Sequence, residues 1–393
     1  MIKTLLFSSL FPHQGEPSLG IFVERRLSHL LASGGVETRV VAPVPWFPSS
    51  NPRFGRWAQK AEAPLKEQRN GVPIWHPRFL VVPKIGMRLT PAAMVRAGRK
   101  AIKEVLATGF KPDLIDAHYL YPDGVAAAVL AKEFNLPFVM TARGSDVTEI
   151  PDFPFAKSQI LTSIDQASHV ITVSASLRDG LIELGADGDK ITTVRNGVDP
   201  TVFTGAGRGE TRSRIGLNSP TLLTAGWLIP RKRVDRVIHM LAMKPTYQLL
   251  IAGSGPEEGS LKQLVSSLGL TDRVTFLGQI DPGGMPDIMA AADRLVLASE
   301  REGWANVLLE AMACGTPVIA TDAGGAREFV DLPGGVVSDT ANPEGLSKAL
   351  DVLDKAAPDR ADVRAYAQRY DWGFVSDQQK SIFSDAIKAF QDG

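Results

Sequence analysis

One cysteine in 393 residues, Cys314, means that no disulfide can form within the chain; this suits a reducing compartment and excludes a cysteine-rich zinc site. Net charge is missing too. The 43 basic side chains balance 43 acidic ones, which argues against a dedicated nucleic-acid binder. Long apolar runs are also lacking: a bilayer span needs roughly 20 residues, and the stretch Val125–Ala131 reaches seven. The opening segment, Met1 to Pro12, places a lysine before apolar residues, but the run is too short and interrupted for an export signal. It reads instead as a first buried strand followed by an amphipathic helix. The expectation is a cytoplasmic protein, with peripheral association on the inner face of the cell membrane left open.

What is present is an ordinary globular composition, 44% apolar and 22% charged, over a length that makes two domains the default. The zero charge is unevenly spread. Residues 1–200 hold 23 basic and 19 acidic side chains. Between residues 51 and 103 stand twelve Lys or Arg, among them Arg56, Lys84, Arg96, Arg99, Lys100 and Lys103, against only Glu62 and Glu67.

Short apolar runs alternate with helical patterns, as in βα units that build a parallel sheet. The first series of strands is Lys3–Ser8, Thr38–Ala42, Asp113–Ala117, Phe138–Thr141, Val170–Val173 and Ile191–Val194. The second is Thr221–Ala225, Gln248–Ala252, Val274–Leu277, Leu295–Ala298, Val318–Ala320 and Gly335–Val337. Residues 196–219, rich in Gly, Asp, Thr and Arg, read as a linker. The expected architecture is α/β: two doubly wound Rossmann-like domains, 1–200 and 201–371, with a ligand cleft facing the carboxyl ends of their strands. A helix over 372–393 carries apolar spacing at Trp372, Val375, Ile382, Phe383, Ile387 and Phe390.

The most informative stretch is Glu302-Gly-Trp-Ala-Asn-Val-Leu-Leu-Glu310, followed by Ala-Met-Ala-Cys-Gly-Thr-Pro. Its two carboxylates stand about 12 Å apart along a helix, farther than the roughly 5–9.5 Å of hydrolytic pairs, so they should act separately. A helix expected over Ala305–Cys314 would put Glu302 before its N-terminus, beside the backbone amides of Gly303, Trp304, Ala305, Asn306 and Val307. Such amides favour anionic or hydroxyl-rich ligands. The bland alternative is a pair of solvated helix charges, but Glu310 sits among apolar residues. Two motifs are set aside. Asp187-Gly-Asp189 has metal-binding form but lies in a polar loop, and the turn Gly253-Ser-Gly255-Pro256-Glu-Glu-Gly259 has its third glycine one residue late for a dinucleotide fingerprint.

The Glu302–Glu310 segment closely resembles the retaining glycosyltransferases of family 4, which have the GT-B fold, and the resemblance covers nearly the whole chain. Asn196-Gly-Val-Asp199 is similar to that family's inter-domain segment. Ile251–Pro256 and Arg273–Gly278 resemble its donor-domain strands and nucleotide-contacting turns. In the N-terminal half, Pro17–Glu24, Ala117–Gly124 and Thr141-Ala-Arg-Gly-Ser-Asp146 resemble the branch that assembles teichuronic acid and exopolysaccharides.

The resemblance implies metal-independent, hexosyltransferase-type transfer with retained configuration, from a nucleoside-diphosphate sugar to a lipid-linked or saccharide acceptor, with no cofactor. It also implies an N-terminal acceptor domain, a C-terminal donor domain and a final helix crossing back to the first. Positive charge at the diphosphate matters most in such a reaction. Lys232 matches the family's phosphate lysine, and Gly20 its close-approach glycine, although each could be an ordinary loop residue. Trp227 stands where the family often has an arginine, which leaves Arg231 as a substitute. Gly253, Gly255, Pro256 and Glu310 complete the donor set. His118, at a strand end, is expected near the donor sugar, in a catalytic set with Glu302 and Asp146, and Arg143 and Ser145 are expected on the acceptor side. A GT-B sugar-nucleotide epimerase and a non-catalytic nucleotide-sugar-binding partner are the competing readings. Pro91–Leu106, with Ala92, Val95, Ala101, Ile102, Val105 and Leu106 on one face and four cationic residues on the other, reads equally as a solvated face and as an element docking on an anionic membrane surface.

Overall fold

The computed structural model describes residues 1–81 and 86–392. Within the basic window, Lys84 and the side chain of Arg56 lie outside the described residues. The chain divides into two compact units, Met1–Arg195 together with the segment from Trp372, and Asn196–Asp371.

Among the described residues the first unit carries ten strands: β1 (Ile2–Phe7), β2 (Val36–Val41), β3 (Val44–Pro45), β4 (Lys66–Arg69), β5 (Val72–Trp75), β6 (Arg78–Phe79), β7 (Leu114–His118), β8 (Phe138–Ala142), β9 (His169–Thr172) and β10 (Ile191–Thr193). Eight of them form one sheet in the order β10-β9-β8-β7-β1-β2-β5-β4, parallel except for the β4–β5 pair. All six strands expected in this half are there. Four others, β3 to β6, lie within a region that apolar periodicity does not reach, because β4 is Lys-Glu-Gln-Arg, with no apolar side chain. The signal that marks it is Asn70-Gly71, whose φ angles of 49° and 79° suit a primed hairpin turn.

Helix Gly86–Ala107 packs on this sheet through Met94, Val95, Ala101, Ile102 and Val105. Gly98 lies at the closest approach, where a Cβ would stand 2.9 Å from the Phe7 ring and 3.0 Å from Leu130. This corrects one expectation. The helix is amphipathic because its apolar face serves the unit's own core, while Ala92 and Leu106 are exposed. No apolar face is left for insertion into a bilayer, only the cationic side chains of Arg96, Lys100 and Lys103, since Arg99 pairs with Glu133 at 2.7 Å.

Helix Trp372–Asp392 belongs to the first unit. Trp372, Val375, Phe383 and Ala386 bury against Leu30, Val36, Leu114 and Val139, and the Trp372 ring stacks on His29 at 4.9 Å, nearly parallel.

The second unit carries β11 (Thr221–Ala225), β12 (Gln248–Ala252), β13 (Val274–Gly278), β14 (Arg294–Leu297), β15 (Val318–Thr321) and β16 (Gly335–Ser338), all parallel, in the order β13-β12-β11-β14-β15-β16. Near-continuous Leu, Ile and Val runs suit strands covered on both faces by helices. The expected linker is not all loop: helix Arg208–Ile215 lies inside it, fastened by ion pairs from Arg208 and Arg212 to Asp293 at 2.5 and 3.1 Å. No helix among the described residues is long and apolar enough to cross a membrane.

Phe383 is fully buried, so Phe383→Ala should destabilise the first unit by about 3–5 kcal/mol. Chemical denaturation followed by a first-unit probe checks this, and a loss below about 1 kcal/mol contradicts it.

Candidate active site

In the first unit the sheet order reverses at β1, which has β2 on one side and β7 on the other. Ligands of open α/β sheets gather beyond the carboxyl ends of strands at such a switch point. His118 is the last residue of β7. Its ring nitrogens both have partners: Nε2 faces Asp116 Oδ2 at 3.2 Å and Nδ1 the guanidinium of Arg143. Arginine can only donate, so Nδ1 accepts and the proton sits on Nε2, which donates to Asp116. Burial pushes His118 down to about 4, the nearby Asp116 carboxylate opposing the drop only in part, so the imidazole is neutral near pH 7.

Asp116 Oδ2 also accepts from Gln379 Nε2 at 3.3 Å, and Gln379 Oε1 accepts from Arg26 Nε at 2.8 Å. Arg26 Nη1 donates to the Val194 carbonyl at 3.1 Å. The final helix, helix Ile21–Ala32 and β7 are thus joined through buried polar groups. None of Asp116, Arg26 or Gln379 figured among the expected site residues. A carboxylate inside the apolar strand Leu-Ile-Asp-Ala-His was the available signal for Asp116, while Gln379 lies 263 residues away from it.

The expectation for Asp146 needs correction. Its carboxylate is fully buried and accepts backbone N–H groups from Leu120 at 2.8 Å, Gly144 at 2.7 Å and Arg143 at 3.0 and 3.1 Å. That role fixes the loop carrying Arg143 and Ser145, and it leaves no oxygen for a catalytic part. Ser145 Oγ lies 2.6 Å from the Tyr119 hydroxyl. Gly20 has φ 60°, and a Cβ there would stand 2.1 Å from the Leu10 carbonyl oxygen, so its backbone approach is to this chain's own loop. Asp123, also outside the expected set, accepts from the backbone N–H and hydroxyl of Ser9, while burial pushes it up to about 7.

In the second unit the switch point falls between β11 and β14, and the loops after both strands hold the predicted donor residues. Glycines let the loop after β11 interlock with the loop after β12. A Cβ on Gly253 would lie 1.8 Å from the Gly226 carbonyl oxygen, and one on Gly255 would lie 2.3 Å from that of Leu228. The Gly226 N–H donates to Ala252 and the Leu228 N–H to Ser254, both at 2.9 Å; Pro256 follows in the same turn.

Lys232 and Glu302, 70 residues apart in sequence, meet here at 2.5 Å, both largely buried. Arg231 does not take a free clamp position: its Nη1 donates to the Arg301 carbonyl at 3.0 Å. After Gly303, Trp304 turns its ring inward against Phe329 at 4.3 Å, so what it can offer a ligand is backbone. Ala305 precedes helix Asn306–Ala313, in which Val307 opens the first turn and Glu310 is half-buried. Asn306 Oδ1 accepts from Asn196 Nδ2 at 3.1 Å. Asp187 caps its own turn, accepting the Asp189 N–H at 3.0 Å, and no group of three or more His, Cys, Asp or Glu among the described residues is placed to hold a metal ion.

Residues 24–202 match the family described as Glycosyltransferase Family 4, and residues 209–370 match Glycosyl transferases group 1. An N-acetyl-alpha-D-glucosaminyl L-malate synthase of Bacillus anthracis is 30% identical over 72% of this chain and 77% of its own. The chain belongs to glycosyltransferase family 4. A Bacillus subtilis relative of this family 4 chain, provisionally named teichuronic acid biosynthesis glycosyltransferase TuaC, is 29% identical over 89% of this chain and 88% of its own. Among solved structures, Anabaena HepE in complex with UDP-glucose superposes with a TM-score of 0.72 at 21% identity, covering 98% of this chain and 99% of that one. The family 4 enzyme therefore has the GT-B fold, and its two switch points are where the glycosyltransferase chemistry is to be sought.

The pairing at His118 makes a spectroscopic prediction. A histidine whose folded pKa is depressed stays neutral below its unfolded value near 6.5 and charges only as the pH falls through about 4. Side-chain 15N shifts at pH 5.5 should show a neutral Nε2–H tautomer, and a doubly protonated ring at that pH contradicts the assignment.

Proposed function

We propose that this family 4 glycosyltransferase moves a sugar from a nucleoside diphosphate to a saccharide or lipid-linked hydroxyl in cell-surface polysaccharide synthesis, with retained anomeric configuration and without a metal. The observation that carries the reading is the Lys232–Glu302 pair on the interlocked loops of the second unit. A cation held by a single carboxylate at a strand-end switch point can transfer to an incoming diphosphate. Its departure from Glu302 leaves that carboxylate to accept hydroxyls, while backbone N–H groups from Gly303 to Val307 face an anion without side-chain reorganisation. The diphosphate then leaves with its charge compensated, and no proton needs to come from a metal-bound water.

Support for the donor class comes from the UDP-glucose in the HepE structure, and for the polysaccharide role from the teichuronic acid in the name of the Bacillus subtilis relative. Glu310 is assigned to the ribose hydroxyls. His118 is assigned near the donor sugar, and Arg143 and Ser145 to the acceptor side. The epimerase reading requires a dedicated acid and base, and the carboxylate of Asp146 is already engaged by backbone N–H groups.

A thermal-shift panel of UDP-, GDP- and ADP-sugars tests the donor, since a ligand at 100 times its Kd adds about 2.7 kcal/mol. Glu310→Ala should weaken binding of the preferred nucleotide by about 1.5–3 kcal/mol, the worth of a charge-assisted hydrogen bond. Unchanged affinity for all three nucleotides counts against the assignment, and NMR of the first-formed product should show the donor's anomeric configuration.

Arg96, Lys100 and Lys103 support a purely electrostatic contact with an anionic leaflet. Binding to phosphatidylglycerol vesicles should weaken steeply between low and physiological salt and vanish when the three are neutralised; salt-independent binding refutes it.

A further inference from the structure

Arg143, at the first unit's switch point, is a cation that the fold leaves short of hydrogen-bond partners. Its Nη2 donates to His118, yet its Nε and Nη1 are buried with no hydrogen-bond partner. The His118 ring is neutral, so the contact supplies no opposite charge. Burial pushes the guanidinium down to about 9 and Arg26 adds to the drop, which the Asp116 and Asp146 carboxylates oppose only in part. Asp146, close in sequence, spends its oxygens on backbone N–H groups. A desolvated cation without an ion-pair partner costs several kcal/mol, which a fold would ordinarily avoid.

The surroundings point the same way. The guanidinium lies over the ring of Phe22 at 5.4 Å, and Phe22 stands in the first turn of helix Ile21–Ala32. The leading N–H groups of a helix have no acceptor within it and carry partial positive charge. Arginine donors and a helix N-terminus together suit an anionic oxygen.

We propose that Arg143 is the anion-binding residue of the first unit, donating from Nε and Nη1 to a phosphate or carboxylate oxygen of a substrate, with His118 as a positioning residue that acts through it. This rests on the acceptor-side reading above and gives it a chemical class. His118 then accepts one N–H of Arg143 and leaves Nε and Nη1 for the anion, while Asp116 and Gln379 fix the tautomer that makes His118 an acceptor.

The test uses the full chain with three probes, inorganic phosphate, glucuronate and UDP, measured by calorimetry. Arg143→Met should lose at least tenfold in affinity for a probe that the wild type binds, and Arg143→Lys should recover part of it. A loss confined to phosphate or glucuronate places the anion on the acceptor, and a loss confined to UDP places it on the donor. No wild-type binding of any probe, or equal binding by wild type and Arg143→Met, overturns the proposal. Free of ligand, Arg143→Met should melt at or above the wild-type temperature because an uncompensated buried cation has gone, and a fall of several degrees would mark Arg143 as structural. His118→Ala should cost at least threefold in the wild-type background and nothing when added to Arg143→Met; equal losses in both remove His118 from the proposal. A wild type that binds phosphate through Arg143 but transfers no sugar refutes the glycosyltransfer reading and leaves this one standing.

Discussion

Burying charge at the end of a parallel sheet is expensive, and the first unit is organised around meeting that cost. Arg26 is answered by Gln379 and a strand carbonyl, Gln379 by Asp116, Asp116 by His118 and His118 by Arg143. Each link satisfies a donor or acceptor that would otherwise cost about 1–3 kcal/mol unpaired. Because the chain of bonds starts on the final helix, that helix contributes polar order as well as the apolar burial of Trp372 and Phe383. The geometry at the end of β7 therefore depends on residues from both termini of the sequence.

The second unit solves a different problem by different means. The loops after β11 and β12 come within van der Waals contact of one another, and side chains at positions 253 and 255 would collide with backbone carbonyls. Glycine is required there by closeness, whatever ligand the loops receive. The lysine and the glutamate neutralise each other across the switch point, and the proposed function draws on that pair as the store of an anion-binding capacity. The two units thus hold cations differently: Lys232 is paired and exchangeable, whereas Arg143 is desolvated and unpaired.

Much of this was legible in the chain. Apolar runs located twelve of the sixteen strands, because strands buried on both faces need little beyond Val, Ile and Leu to declare themselves. The four that escaped lie in residues 44–79, where β4 is wholly polar; the Asn70-Gly71 turn is its local mark. The Glu302–Glu310 spacing, the glycines at 253 and 255 and the lysine at 232 were all readable as donor-loop features.

The sequence by itself determined the fold class, the family and which residue types stand at the strand ends, since these follow from periodicity and from motifs short enough to be read along the chain. Only the tertiary structure decided what each polar side chain does. Asp146 became a backbone clamp, Arg231 a loop brace, and the apolar stripe of residues 91–106 a core face, because hydrogen-bond satisfaction and burial are settled between residues distant in sequence. Gln379, meeting Asp116 across the whole length of the first unit, shows why: no local pattern records a partner that folding alone brings near.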